Sequence, residues 1–380
     1  MPARGAGASR LVVAELELLH AQVSPKTTWS FVRLTCGDGS TGIGEASLMR
    51  EWGSLDAPFR AAADDLRGNP LGVLLSAVDN AARETLAVAA VASALEQAAW
   101  DVSARSAGVP VWSMLGGVSR AIPLYANINR RTTDRSPEGF RASAAEAVAA
   151  GFRAFKLAPF DDLLPTNAAT PQGRSHIERG LARVSAVRDA ILPTHELLVD
   201  CHWRFTPDAA IDAIDALAEF GVVWFECPLP ERQQSIAAIA ATRRRANARG
   251  MRLAGLEELT SPQAFRPWLK AGAYDVVMPD VKYCGGIADL IAIGAEASRF
   301  GANCSPHNPS GPVGHAASLA ACAKLAAPVL LEHQWDETPW FFAIGGEHLP
   351  RPADGVSALP SAPGLGVALH LDGLTVARLW

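Results

Sequence analysis

Glu196-Leu-Leu-Val-Asp-Cys-His202, Val222-Val-Trp-Phe-Glu-Cys227 and Leu253-Ala-Gly-Leu-Glu-Glu258 share one pattern: a short apolar run that ends in an acid. Runs of this length suit a buried strand and are too short for a helix. Five more lie along the same chain: Ile122–Asn127, Ala154–Ala158, Val276–Val281, Ala302–His307 and Val329–His333. The stretches between them read as helices. Ser136-Pro137-Glu138, Thr206-Pro207-Asp208 and Ser261-Pro262-Gln263 open three of these with a hydroxyl N-cap and a proline at the first helical position, where no backbone donor is needed. Gly151, Gly221, Gly250, Gly272 and Gly301 lie near helix ends, where a left-handed cap is wanted. Strand alternating with helix implies a parallel sheet, and eight strands in roughly 210 residues match a TIM-type barrel. A doubly wound open sheet is the alternative. No GxGxxG follows the first run, which argues against a dinucleotide fold.

Outward from the barrel, the N-terminal part mixes element types. Leu11–Leu19, Ser30–Thr35 and Thr41–Glu45 read as a small antiparallel sheet, with Asp38-Gly39 as a hairpin turn. Two helical stretches follow, the second Ala-rich over about Val73–Ala107 and closed by Gly108-Val109-Pro110. The organisation expected is an α/β chain: an α+β N-terminal domain over 1–120, a TIM-type barrel over 121–335, and a Gly- and Pro-rich segment over 336–380 that returns to the N-terminal domain. Met1–Arg10 reads as a loose tail.

Composition narrows the function. Of 380 residues 49% are hydrophobic, enough for a large core. With 34 basic and 39 acidic residues the net charge is −5, and nothing suggests a nucleic-acid surface. The one basic run, Arg243-Arg244-Arg245, reads as a solvated helix face. Six scattered cysteines without CxxC spacing, and no signal peptide, read as reduced thiols in a cytoplasmic protein. No apolar stretch is long enough to span a membrane.

Chemistry collects at the C-terminal ends of the runs: Lys156, Asp200 with His202, Glu226, Glu257 with Glu258, Asp280, His307 and Glu332. In a barrel these ends meet at one mouth, where active sites are built. Asp200, Glu226 and Glu257 end three successive strands. Such hard oxygen ligands suit Mg²⁺, and like charges resist joint ionisation without a cation. No basic residues are patterned to serve all three, so separate ion pairs are the weaker reading. Strand alternation places Asp200 and His202 on one face, and separates Glu257 from Glu258. His202 then stands beside the metal as ligand or proton donor. Asp280 and His307 end consecutive strands, so a carboxylate can hold one imidazole nitrogen and leave the other as a base. Lys156 either binds a substrate carboxylate or acts as a base with a lowered pKa.

Several segments resemble the mandelate racemase group of the enolase superfamily. The helix Ala92–Asp101 running to Pro110-Val-Trp-Ser-Met-Leu-Gly-Gly117 is similar to its N-terminal signature. Leu198-Val-Asp200, Trp224-Phe-Glu226-Cys-Pro228 and Leu253-Ala-Gly-Leu-Glu257 resemble its metal-ligand strands. Met278-Pro-Asp280 with Gly285-Gly286-Ile287, and Pro306-His307-Asn308 with Gly311-Pro312, resemble its Asp–His dyad strands. The resemblance implies a (β/α)7β barrel over 121–335 with an α+β capping domain from 1–120 and the tail 336–380, Mg²⁺ on Asp200, Glu226 and Glu257, and His307 oriented by Asp280 as the base that removes a proton α to a carboxylate. Glu332 matches the position that hydrogen-bonds the substrate carboxylate. Relatives commonly form symmetric homo-oligomers, and their capping loops choose the substrate; here those are His20–Lys26 and Met49–Trp52, with Arg50 and Trp52 as candidate contacts. One departure matters. Where many relatives carry Lys-x-Lys, this chain reads Lys156-Leu157-Ala158, without the second lysine base. The Asp-x-His of Asp200 and His202 is similar to that of sugar-acid dehydratases, whose His protonates the leaving hydroxyl. The expectation is therefore an Mg²⁺-dependent dehydratase of an aldonate or aldarate, giving a 2-keto-3-deoxy acid, with His307, Asp280, His202, Lys156 and Glu332 as its catalytic set. Two alternatives stay open: a racemase or epimerase of a hydroxy or amino acid with Lys156 and His307 as opposed bases, and a non-catalytic metal-binding relative.

Overall fold

The computed structural model describes residues 11–48, 51–73, 84–326 and 330–379. Met1–Arg10, Met49, Arg50, residues 74–83 of the expected Ala-rich helix and Val329 lie outside them.

The chain opens with an antiparallel meander, β1 (Val13–Gln22), β2 (Thr28–Cys36) and β3 (Thr41–Glu45), followed by α1 (Asp56–Leu66) and α2 (Leu86–Ser106). Helix α2 lies directly on β3. Gly42 and Gly44 permit this, because a Cβ at Gly44 would stand 1.9 Å from the Ala94 carbonyl oxygen and one at Gly42 2.2 Å from that of Ala98. Their absent side chains let helix and strand backbones touch.

The eight expected runs all appear as strands: β4 (Ile122–Asn127), β5 (Ala154–Leu157), β6 (Glu196–Asp200), β7 (Val222–Glu226), β8 (Arg252–Gly255), β9 (Val276–Val277), β10 (Asn303–Cys304) and β11 (Leu331–Gln334). Seven helices alternate with them: α3 (Pro137–Ala149), α4 (Pro171–Ala190), α5 (Pro207–Ala218), α6 (Ile236–Ala248), α7 (Pro262–Lys270), α8 (Ile287–Arg299) and α9 (Pro312–Cys322). The strand order is β10-β9-β8-β7-β6-β5-β4-β11 with every ladder parallel. That is a (β/α)7β barrel. Among the described residues no ladder joins the end strands. Side chains cross this seam instead: the Ser305 hydroxyl donates to the Leu330 carbonyl, and the Asn308 amide to the Glu332 carbonyl at 2.8 Å. A short helix α10 (Trp340–Gly345) and strands β12 (Val356–Ser357) and β13 (Val376–Leu379) complete the chain. Strand β12 pairs with β4, and β13 adds to β1 in the first sheet.

Of the four helices opened by a hydroxyl residue and proline, three are capped as their sequences imply. Ser136 and Thr206 accept from Gly139 and Ala209, and Thr170, which the sequence reading passed over, accepts from Gly173. Ser261 makes no such bond. The side chains split by strand alternation. Tyr125, Ala154, Leu198, Trp224, Ala254, Val276 and Met278 form one cluster inside the ring, while Phe155, Val199, Phe225, Leu253 and Val277 pack outward against the helices.

The capping sheet and α2 are bolted to the barrel behind β9 and β10. The buried Glu45 carboxylate accepts from Gly311 and Gly314 N–H at 2.7 Å each, and Glu96 from Ile287 and Ala288 N–H at 2.9 and 3.0 Å. Gly286 at φ +97 leaves room for this, since a Cβ there would meet Glu96 at 2.2 Å. All six cysteines are free and buried. Among the described residues no helix is long and apolar enough to cross a membrane. Arg243 and Arg245 pair with Asp275 and Asp215 on the barrel's flank.

Candidate active site

The inner layer sets the site's floor. Two residues beyond Tyr125, Ala154, Leu198, Trp224 and Leu330, the same strand faces carry Asn127, Lys156, Asp200, Glu226 and Glu332, all buried. The strands stop earlier than expected, and this changes how the remaining residues arrive. Strand β6 ends at Asp200, and His202 follows at φ +46. The two meet through a turn rather than through pleating: His202 Nε2 stands 3.1 Å from Asp200 Oδ2, and its backbone N–H donates to Oδ1 at 3.0 Å. Strand β8 ends at Gly255, and Leu256 turns the chain at φ +74. Glu257 is thereby buried and Glu258 exposed. Asp280 and His307 likewise lie in the loops after β9 and β10.

Among the described residues Lys156 serves two of the three expected ligands: Nζ is 2.6 Å from Glu226 Oε1 and 3.7 Å from Asp200 Oδ2, and 3.0 Å from Glu332 Oε1, with no ion pair to Glu257. It also sits 5.3 Å above the Tyr125 ring. Burial alone would lower its pKa, but Glu226 and Glu332 outweigh burial and hold the ammonium well above its ordinary range. The lowered pKa expected of a lysine base is not what this environment produces.

One ammonium does not satisfy four acids. Burial works against ionised Asp200, yet His202 and Lys156 hold it low. Glu332 is brought down to about 2 against its burial by Lys156, His307 and bonds from Asn308 and Asn127. Burial pushes Glu226 up, reinforced by Asp200 and Glu332 and only partly offset by Lys156. Glu257 is pushed up by burial and then by Asp200 and Glu226. The cluster lacks positive charge beside three hard oxygen donors on adjacent strands, which fits a divalent cation. As the side chains stand, no three His, Cys, Asp or Glu among the described residues converge on one metal position; Glu226 Oε1 accepts from Lys156 at 2.6 Å and Oε2 from Trp224 at 2.8 Å.

Opposite this cluster, His307 Nδ1 is 2.9 Å from Asp280 Oδ2, and its Nε2 is 3.6 Å from Glu257 Oε2. Burial would raise Asp280, but Lys282 and His307 hold it low.

Four residues here were not read from the sequence as site residues. Asn127 donates to Glu332 Oε1 at 2.6 Å, and its place at the end of the first barrel strand was the available signal. The Asn308 N–H donates to Glu332 Oε2 at 2.8 Å. Trp224 Nε1 donates to Glu226 Oε2 at 2.8 Å from two residues back on β7. Lys282 Nζ donates to Asp280 Oδ2 and Ser310 Oγ at 2.6 Å each. Of the capping-loop candidates, Arg50 lies outside the described residues. Trp52 is exposed and tilts over the buried His20 ring at 4.9 Å. A cavity of about 460 Å³ between Trp29, Phe152, His333 and Trp335 contains none of the candidate site side chains.

Residues 139–373 match the enolase C-terminal domain-like family, and 18–116 the mandelate racemase/muconate lactonizing enzyme N-terminal domain. The chain belongs to the mandelate racemase group of the enolase superfamily. It is 30% identical over 280 residues to a D-gluconate dehydratase of Thermoproteus tenax, covering 73% of this chain but only 54% of that protein. It is 28% identical over 374 residues to a D-galactarolactone cycloisomerase of Agrobacterium fabrum, covering 92% and 90% of the two chains. A mandelate racemase/muconate lactonizing enzyme-like protein from Roseovarius sp. TM1035 superposes with a TM-score of 0.84 at 25% identity, over 94% of this chain and 93% of that one.

Proposed function

We propose that this member of the superfamily is an Mg²⁺-dependent dehydratase of a sugar acid, an aldonate or aldarate, yielding a 2-keto-3-deoxy acid. The observation that carries the reading is the pair of histidines flanking one carboxylate cluster. His307 has Nδ1 held by Asp280 and Nε2 turned toward Glu257; His202 lies beside Asp200. A dehydratase needs this division: one group to remove the α-proton and another to protonate the β-hydroxyl as it leaves. His307 is the base, and Asp280 fixes its tautomer and steadies the imidazolium. His202 is the acid. Lys156, positioned by Glu226 and Glu332, presents an ammonium to the substrate carboxylate. Glu332 acts at that same end of the substrate. Asp200, Glu226 and Glu257 would hold Mg²⁺, which when bound supplies positive charge where the carboxylate gains it. The names of relatives such as the Thermoproteus dehydratase support the substrate class.

The test is an NMR screen in D₂O with Mg²⁺ against aldonic and aldaric acids. A 2-keto-3-deoxy product is expected. Deuterium at C2 with inversion and all hydroxyls kept would replace this reading with the racemase. Absence of both turnover and exchange would replace it with a non-sugar acid as substrate or with a non-catalytic relative.

A further inference from the structure

We infer that Glu231 is a positioning residue that holds the turn aiming Glu257 at the metal site; the inference rests on the Mg²⁺ role proposed for Glu257. Leu256 has φ +74, a left-handed conformation that a residue with a Cβ rarely adopts. Something must keep it there, because relaxing it would turn Glu257 and Glu258 about the chain and exchange their directions. The Leu256 N–H donates to Glu231 Oε1 at 2.7 Å, and the Tyr274 hydroxyl donates to the same oxygen at 2.6 Å.

Space has been left for this clamp. A Cβ at Gly255 would lie 2.4 Å from Glu231 Oε1 and 2.8 Å from Tyr274 Cε1, so only glycine admits both. Glu231 belongs to the loop after β7, the strand that carries Glu226. One ligand-bearing strand thus reaches across to fix the next. Cys227 Sγ fills the space between, 4.0 Å from Glu231 Oε1 and 3.8 Å from Glu257 Oε2. Burial pushes the Glu231 carboxyl up to about 7, although Tyr274 and Leu256 N–H pull the other way. The chain therefore tolerates an electrostatic cost to keep an acid there, and the oxygen it presents is the one that ties Leu256. Groups that orient a ligand in this way typically change metal affinity by about 10–100-fold when removed.

The experiment is isothermal titration of the full chain with Mg²⁺, alongside melting temperatures in EDTA, for wild type, Glu231→Ala, Glu231→Gln and Tyr274→Phe. Glu231→Ala should raise the Mg²⁺ Kd by at least about tenfold. Glu231→Gln keeps an amide oxygen for Leu256 N–H and should restore most of the affinity. Tyr274→Phe, which leaves the Leu256 bond intact, should fall between. The inference is overturned if wild type binds Mg²⁺ and Glu231→Ala binds it equally well. It is also overturned if the alanine and glutamine variants lose affinity only in step with melting temperature, as a merely structural acid would. Should Glu231→Ala not fold, the glutamine and phenylalanine variants decide it by the same comparison. A wild type that binds no Mg²⁺ would remove the metal reading itself, a result distinct from an unchanged variant.

Discussion

Replacing Lys156 with methionine keeps the stem and removes the charge. In the native chain that ammonium lies within 3.7 Å of three buried carboxylates, Glu226, Glu332 and Asp200. Taking one partner from a buried ion cluster costs about 3–5 kcal/mol, since the others are left without compensation. For 380 residues, unfolding entropy near ~2.1 cal/mol/K per residue gives about 0.8 kcal/mol/K, so the melting temperature should fall by about 4–6 °C. The loss has a signature in pH. Without Lys156, Glu226 rises further above its unfolded value and Glu332 and Asp200 lose a partner that holds them low, so the penalty is absent where all are protonated and grows as pH rises through the raised values. The deficit at pH 7.5 should therefore exceed that at pH 5. Mg²⁺ at a hundred times its Kd should return about 2.7 kcal/mol, or about 3 °C. Calorimetry in EDTA and in Mg²⁺ at both pH values is the assay. A variant that melts with wild type in EDTA at pH 7.5 would refute the claim that Lys156 carries the cluster's charge balance.

His202→Gln should cut dehydration about 10²–10⁴-fold while exchange of the α-proton in D₂O continues, because His307 is untouched; loss of exchange as well would put His202 elsewhere in the reaction. Glu96 is pushed up to about 7 by burial against the Ala288 and Ile287 N–H bonds, from an ordinary 4.5. An acid shifted upward contributes stability that is fully present below pH 4.5 and lost as pH rises through 7, about 3 kcal/mol in all. Glu96→Gln should remove that slope, and melting curves of the two proteins that stay parallel from pH 4.5 to 8 would contradict it.

Much of this protein is local in origin. Eight apolar runs, Pro-opened helices and left-handed glycines name the barrel without any contact being known, because burial, strand alternation and capping are properties of a few adjacent residues. Thr170-Pro171 could have been read by the same rule as Ser136-Pro137. The acids and histidines at the strand ends were equally visible as a set. Their mutual geometry was not. Strand alternation was the wrong reason for Asp200 meeting His202 and for Glu257 parting from Glu258, since both depend on left-handed turns at His202 and Leu256 that form only after the strands have ended. Asn127 and Asn308 become site residues only because barrel closure brings them to Glu332, whereas Lys282 reaches Asp280 from two residues along the same loop. The charge of Lys156 shows the limit most clearly. The sequence by itself determined that a lysine ends the second barrel strand and that acids end the third, fourth and eighth. Only the tertiary structure decided that these acids surround that lysine out of reach of water, and proximity under burial is what keeps it charged.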